Sequence, residues 1–160
     1  MTALTLDIQI ADDLASDYNG FTPSQSQFET WIEAALLADA YNKEEAEVSL
    51  RICSCAEIQA LNHDYRGKDK ATNVLSLPTD FPAEMNIPLL GDIIICAKVV
   101  ASEALEQAKL LEAHWAHMTI HSVFHLLGHD HIDDKEAELM EALETKVLIG
   151  LGYDHPYLSE

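Results

Sequence analysis

Two segments of the chain alternate apolar and polar side chains with a period of two residues. The apolar positions are Leu4, Leu6, Ile8 and Ile10 in the first segment, and Val48, Leu50 and Ile52 in the second. Because a strand points successive side chains to opposite faces, this pattern predicts two half-buried β-strands. Shorter β-like segments follow at 73–77 and 92–96, on either side of a loop with three prolines.

Apolar residues at helical spacing predict five helices. The first follows Thr22, which we expect to cap it with Pro23 at the first helical position, and the second follows the capping box that begins at Ser54. The second to fifth predicted helices cover residues 55–63, 98–107, 112–127 and 134–149. The order β-α-β-α-β-β and then three helices predicts an α+β domain, with a small mixed four-stranded sheet covered by helices.

The predicted helix 112–127 differs from the rest of this chain in its lack of charge. No Asp, Glu, Lys or Arg occurs between Ala113 and His129. Since the chain is otherwise rich in carboxylates, we expect this helix to be buried. Its histidines share one narrow stripe and are His114, His117, His121 and His125.

Composition limits the kinds of partner. The chain has 160 residues, the size of one ordinary domain, and we expect residues 1–160 to form it. Its 28 acidic and 9 basic residues give a formal charge of −19, which argues against a surface that coats DNA or an anionic membrane. We find no apolar run long enough to span a membrane and no signal-peptide pattern, so we expect a cytoplasmic protein. In a reducing compartment we expect its three cysteines to be free core residues, and they are Cys53, Cys55 and Cys96.

Residues 121–131 carry histidines at the spacing of a zinc site and read HSVFHLLGHDH. His121 and His125 lie one helical turn apart on one face, and Gly128 is expected to end the helix so that His131 can reach the same ion. A hydrogen-bonded core pair is the alternative for two histidines alone, but the third favours metal. Three imidazoles leave a fourth tetrahedral position for water, as in catalytic rather than structural zinc sites. We expect His114 and His117 to support the ligands or lie in the core.

The residue after the first proposed ligand argues against a peptidase. Zinc proteases of the H-E-x-x-H type place a glutamate there as general base, whereas this chain has Ser122. The proton must then pass to another group or to the substrate, unless zinc alone makes the water acidic enough. Asp130 is a candidate acceptor, and a turn-capping aspartate is the alternative.

Three of the nine cations lie close together in a glycine-containing loop. They are Arg66, Lys68 and Lys70. In an acidic protein such a loop is a candidate phosphate site, and an arginine fork suits phosphate oxygens best. Pairing with the nearby Asp64 and Asp69 is an equally good interpretation of the residues alone.

Three separated motifs resemble the YbeY family of bacterial rRNA-maturation endoribonucleases. Residues 62–78 read NHDYRGKDKATNVLSLP, residues 90–93 read LGDI, and the histidine motif follows. Ser122 stands where the family has glycine, and His129 where it has tyrosine. The resemblance covers the chain from about residue 48 onward.

The resemblance implies a zincin-like fold around a central helix that bears the histidines. It implies one Zn²⁺ held by His121, His125 and His131, and Arg66 as the essential arginine near the metal. Lys68, Lys70, Ser122, His129 and Asp130 are further candidates for substrate contact or support of the ligands. The implied activity is cleavage of single-stranded RNA in the maturation of the small-subunit rRNA end and in ribosome quality control.

Alternatives from other classes stay open. The ligand spacing also fits a metallopeptidase, and a ribosome-assembly factor with a purely structural zinc is a third hypothesis. Because the acidic surface should bind free RNA weakly, we expect the ribosome, a small-subunit ribosomal protein or an assembly GTPase to supply affinity. The acidic helix from Asp133 to Thr145 is interpreted as a solvated face.

Overall fold

Strands and helices alternate through the first part of the chain, and three helices follow in the predicted order. The computed structural model describes residues 2–129 and 133–157. Its strands are β1 (Ala3–Ile10), β2 (Glu45–Cys53), β3 (Val74–Pro78) and β4 (Leu89–Cys96). Its α-helices are α1 (Gln25–Ala38), α2 (Cys55–Arg66), α3 (Ala97–Glu106), α4 (Leu111–Leu126) and α5 (Asp134–Gly150).

The strands form one mixed sheet in the order β1-β2-β4-β3. β1, β2 and β4 run parallel, and β3 is an antiparallel edge strand. In the register, Leu6 pairs with Val48, and Leu50 pairs with Ile93. The α+β class with a small mixed four-stranded sheet is therefore confirmed.

Helices cover the two faces of this sheet unequally. Side chains of β2 and β4 such as Leu50 and Ile93 pack with α1, α4 and α5 in the larger apolar cluster, where Phe124 of α4 is fully buried. On the other face, Ile58 of α2 packs against Ile94 and neighbours in a smaller cluster. The predicted burial of α4 is thus confirmed, since it lies between the sheet and other helices.

No helix within the described ranges has the length and apolar character needed to cross a membrane.

The start of α1 differs from the prediction by two residues. Ser24, not Thr22, is the N-cap, because its hydroxyl accepts from the Gln27 backbone N–H at 3.2 Å. The Gln27 side chain accepts in return from the Ser24 N–H at 2.9 Å, which completes a capping box. Pro23 therefore precedes the helix instead of opening it.

Helix α2 begins as predicted and continues further. Ser54 caps it by accepting from the Glu57 N–H, and it ends at Arg66 instead of residue 63. Gly67 follows in the left-handed conformation at φ 68°, which a residue without Cβ adopts at no steric cost. This end brings Arg66 to the last turn of a helix.

The three cysteines are free, as expected. Cys53 and Cys96 are buried, and Cys55 is half-buried with its Sγ 3.5 Å from that of Cys96. Burial raises the pKa of the Cys53 thiol well above its ordinary value. These cysteines therefore act as small apolar side chains of the smaller cluster.

Gly91 lies where the end of α4 packs closely against the sheet. Its φ is +149°, and a Cβ placed there would lie 2.3 Å from the Leu77 carbonyl oxygen and 2.8 Å from Leu126 Cδ2. A backbone oxygen at that distance cannot give way as a flexible side chain could. The position thus requires glycine for space as well as for backbone conformation.

We predict that Gly91→Ala lowers the free energy of unfolding by about 2–4 kcal/mol, through overpacking and backbone strain. Urea unfolding of the purified protein measures the change. Gly150→Ala is the matched control, since Gly150 lies in α5 with open space around a built Cβ, and it should be neutral or slightly stabilising. A Gly91→Ala protein as stable as this control would contradict the packing described here.

Candidate metal centre

Helix α4 presents two imidazoles where its C-terminal half reaches the surface. His121 and His125 are half-buried, whereas residues 122–124 between them are buried. The Nε2 atoms of the two rings lie 3.1 Å apart, and the ring centroids are separated by 4.6 Å. Both ring nitrogens therefore point toward a common region, as the spacing of four residues predicts.

Glu144 of α5 contacts the other nitrogen of the first imidazole. Its Oε2 lies 2.8 Å from His121 Nδ1. Because a carboxylate accepts hydrogen bonds, this contact places the proton of His121 on Nδ1 and leaves a lone pair on Nε2. His121 is thereby in the tautomer that a metal ligand needs.

The separation of this histidine pair is that of a hydrogen bond between the two rings, and it is also compatible with a tetrahedral zinc ion. Two nitrogens bound at the usual 2.0–2.1 Å lie about 3.3 Å apart, close to the 3.1 Å in the structure. Residues 2–129 and 133–157 contain no group of three His, Cys, Asp or Glu side chains arranged to hold a metal. The predicted third ligand, His131, and its neighbour Asp130 lie outside the described residues, so their roles stay predictions.

Glu144 is fully buried and is surrounded by hydrogen-bond donors. Besides His121, His117 Nε2 lies 2.7 Å from its Oε1, and the Tyr157 hydroxyl donates to that same oxygen. Burial alone would raise the pKa of this carboxyl, but the hydrogen bonds from His117 and His121 lower it to about 2. Burial also lowers the pKa of His117. The cluster thus holds an ionised Glu144 beside a neutral His117.

The interpretation of the acidic helix as a solvated face is wrong for Glu144. Glu136, Glu138 and Glu141 are exposed, whereas Glu144 is not. The sequence does contain a signal for this difference. Buried positions of α5 at helical spacing are Met140, Glu144, Val147 and Leu148, so Glu144 lies within an apolar stripe.

The remaining histidines of the α4 stripe have separate environments. His114 Nε2 lies 2.9 Å from Glu103 Oε1, and Asn73 also donates to that carboxylate. This contact joins α4 to α3 and to the residue before β3, away from the ligand pair. Of the two histidines expected to support the ligands or lie in the core, His117 shares a carboxylate with His121 and His114 lies in the core.

The turn after α4 is held by His129. Gly128 has φ +99° and follows the last helical residues, so the predicted helix end is confirmed. His129 Nε2 then lies 2.5 Å from Asp39 Oδ1, just beyond α1. This nitrogen is therefore engaged by a carboxylate in the structure, and the contact ties the start of the segment toward His131 to α1.

Ser122 points into the core. Its side chain is fully buried, and within the described chain its Oγ has no hydrogen-bond partner. Contact between this hydroxyl and a substrate in solvent would require the helix to rearrange. The position after His121 therefore carries no general base.

The basic loop is exposed and is not neutralised by its neighbours. Within the described ranges, Arg66, Lys68 and Lys70 form no ion pair. Asp64 instead lies near His63, and Asp69 accepts from the Gln59 amide. The interpretation of this loop as a locally paired one is therefore not supported.

Arg66 is exposed at the C-terminal end of α2. Earlier in that helix, Ile58 packs in the smaller apolar cluster, on the sheet face opposite α4. The expected closeness of Arg66 to the metal stays a prediction, and so does its role.

The mixed sheet, the buried helix and its surface-reaching histidine pair define an α+β domain of the zincin-like class. Residues 15–152 match the family described as Endoribonuclease YbeY, and the chain belongs to that family of endoribonucleases. The resemblance seen in the three sequence motifs is thereby confirmed.

One solved structure supports the fold independently. The solution structure of TM1509 from Thermotoga maritima is similar to this chain with a TM-score of 0.58 and 24% sequence identity. The similarity covers 90% of this chain and 87% of that one. At this identity the likeness concerns the fold alone.

We predict that Ser122→Ala raises the free energy of unfolding by about 1 kcal/mol, because it removes a buried unpaired hydroxyl and alanine favours helix. Ser102→Ala is the matched control, since Ser102 is exposed within α3 and reports helix propensity alone. Denaturant unfolding of both variants measures the difference. A Ser122→Ala protein less stable than the starting protein would show that this hydroxyl has a partner in solution.

Proposed function

We propose that this protein is a zinc-dependent endoribonuclease that cleaves single-stranded RNA during maturation of the 3′ end of the small-subunit 16S rRNA and in ribosome quality control. The observation that carries the proposal is the convergence of His121 and His125 on one surface region, with Glu144 behind the first ring. Membership of an endoribonuclease family supplies the reaction class.

Three imidazoles would hold one ion per chain, those of His121, His125 and His131. The described pair fits zinc in its nitrogen separation and in the tautomer of His121. When bound, zinc supplies Lewis-acid chemistry that stabilises negative charge on phosphoryl oxygens and makes water more acidic. The donors are neutral, so the ion keeps most of its positive charge for a phosphodiester.

The loop cations serve the substrate in this proposal. Arg66 is assigned to the phosphoryl oxygens, whose charge grows as the phosphodiester is displaced, and Lys68 and Lys70 to neighbouring phosphates. All three side chains are exposed, and none of them forms an ion pair with another described residue, which supports this assignment. In this proposal one RNA strand contacts both the loop cations and the ion held by the histidines.

Other candidate residues are assigned by their positions. Asp130, outside the described part, is proposed as proton acceptor because Ser122 is buried and cannot act as one. His129 is proposed to support the segment that carries His131, through its contact with Asp39. Ser122 is proposed to do no more than pack behind the ligands.

The net charge of the chain limits the partners that it can bind. A formal charge of −19 leaves little attraction for nucleic acid outside the basic loop. We therefore propose that residues 1–160 act as one domain in the cytoplasm on RNA presented by the ribosome, with a small-subunit ribosomal protein or an assembly GTPase supplying affinity, and that neither DNA nor a membrane is a partner.

The attacking group is water or the RNA's own 2′-hydroxyl. Attack by the 2′-hydroxyl leaves a cyclic phosphate on the upstream fragment, whereas attack by water does not. Mass spectrometry of the fragments from a short single-stranded RNA distinguishes the two.

We predict that His121→Ala abolishes both zinc binding and RNA cleavage. Arg66→Ala should lower the cleavage rate at least about 100-fold with zinc still bound. Zinc is measured by elemental analysis, and cleavage by gel assay of a single-stranded RNA. Lys146→Ala is the control for loss of one exposed charge and should cleave at the starting rate. Nuclease activity that survives both changes would belong to a contaminant and would favour an assembly factor with structural zinc.

Added salt should weaken RNA binding only moderately. If Arg66, Lys68 and Lys70 are the cations that meet phosphates, the slope of log binding constant against log salt should be about −2, at about −0.7 per contact. Fluorescence anisotropy with a labelled single-stranded RNA between low and moderate salt gives this slope. A slope steeper than about −5 would mean that RNA is bound by many more cations than this loop supplies.

A further inference from the structure

The carboxylate of Glu144 receives donors from two separate parts of the chain. His117 and His121 lie on α4, one turn apart, while Tyr157 lies in the segment that follows α5. Oε1 accepts from His117 and Tyr157, and Oε2 accepts from His121. Both oxygens are thus occupied, in a residue with no exposure to solvent.

We infer that Glu144 is a positioning residue of the metal centre, which holds His121 in its ligating tautomer and orientation, and that Tyr157 fixes Glu144 in turn. The inference rests on the proposed function for the identity of the ligand. It assigns a role to two residues that lie outside the histidine motif. The C-terminal segment thereby becomes part of the centre's support.

Glu144 would also balance part of the charge of a bound ion. Three neutral imidazoles leave a bound dication uncompensated, and a buried carboxylate 2.8 Å from the ring of His121 offsets part of that charge through the imidazole. Water screens the Glu144 side of this interaction little, because Glu144 is fully buried, whereas the ring of His121 is half-buried. A carboxylate hydrogen-bonded to a ligating histidine raises the basicity of the ring and fixes its orientation.

A glutamine at this position would fill the same space, but it would place an NH₂ donor where the carboxylate has an acceptor oxygen. Its single carbonyl oxygen can still accept from His117 and Tyr157, but its NH₂ group then faces His121 Nδ1. A donor there favours the tautomer with the proton on Nε2, which cannot ligate through that atom. Glu144→Gln therefore changes the tautomer of His121 while the side-chain volume stays almost constant.

Tyr157 would affect the ion only through Glu144 and His121. Its hydroxyl donates to Glu144, and its ring lies edge-on to His117 with centroids 5.2 Å apart. Tyr157→Phe keeps the ring contact and removes one of the three donors to the carboxylate, together with the 3.1 Å contact between the hydroxyl and His117 Nε2. The expected effect on the metal is therefore smaller than that of Glu144→Gln.

The test is zinc affinity measured by competition with a chromophoric chelator, on the full chain. We expect Glu144→Gln to weaken zinc binding 10- to 100-fold and Tyr157→Phe to weaken it about 3-fold, less than the glutamine variant. Glu138→Gln removes a charge from an exposed position of the same helix and should bind as the starting protein does. Circular dichroism verifies that each variant is folded.

A second readout separates positioning from general damage to the fold. In metal-free protein labelled with ¹⁵N-histidine, the ¹⁵N shifts of His121 should report a proton on Nδ1, and the Glu144→Gln variant should move it toward Nε2. The starting protein alone decides the matter if that variant does not fold, because a proton found on Nε2 overturns the inference. So does equal zinc affinity of a folded Glu144→Gln variant and the Glu138→Gln control.

Failure of the proposed function looks different. A starting protein that takes up no zinc removes the ligand assignment itself, whatever the variants do. A starting protein that binds one zinc per chain, together with a Glu144→Gln variant of unchanged affinity, removes only the role of Glu144.

Discussion

A buried negative charge organises the region around the candidate metal centre. Glu144 has no solvent exposure, and an ionised carboxylate in such a place is stable only when donors surround it. His117, His121 and Tyr157 are those donors. The need to satisfy this one group joins α4, α5 and the C-terminal segment, and it sets which nitrogen of His121 faces outward.

The rest of the fold holds α4 so that these contacts can form. The sheet packs against α4 through the larger apolar cluster, and Gly91 allows the end of the helix to approach the strands closely. Because the first half of α4 is buried, its histidines reach the surface only near its C-terminal end, at His121 and His125. Packing thus decides which two of the four histidines in the stripe face the exterior.

Much of the fold could be predicted from sequence, because the patterns that define its strands and helices lie within short stretches of the chain. Alternation marks β1 and β2, and the Ser54 capping box places the start of α2 correctly. The predicted start of α1 at Thr22 is wrong by two residues, because the reciprocal hydrogen bonds between Ser24 and Gln27 place the N-cap at Ser24. The spacing of His121 and His125 is a helical property and needs no tertiary information.

What could not be predicted depends on contacts between distant residues. Glu144 lies 23 positions from His121, and on an acidic helix it resembles its exposed neighbours unless the apolar stripe of α5 is considered. Nor does sequence show that α2 packs through Ile58 on the face of the sheet opposite α4. A motif places residues in order along the chain, whereas their positions in space are set by the packing of the elements that carry them.

We propose that imidazoles alone are the protein ligands of one zinc ion. X-ray absorption at the zinc edge of the loaded protein checks this, because the spectrum distinguishes nitrogen from sulfur ligands and counts imidazoles. We expect three imidazole nitrogens at about 2.0–2.1 Å and no sulfur. A shell at about 2.3 Å from cysteine sulfur, or fewer than three imidazoles, would contradict it.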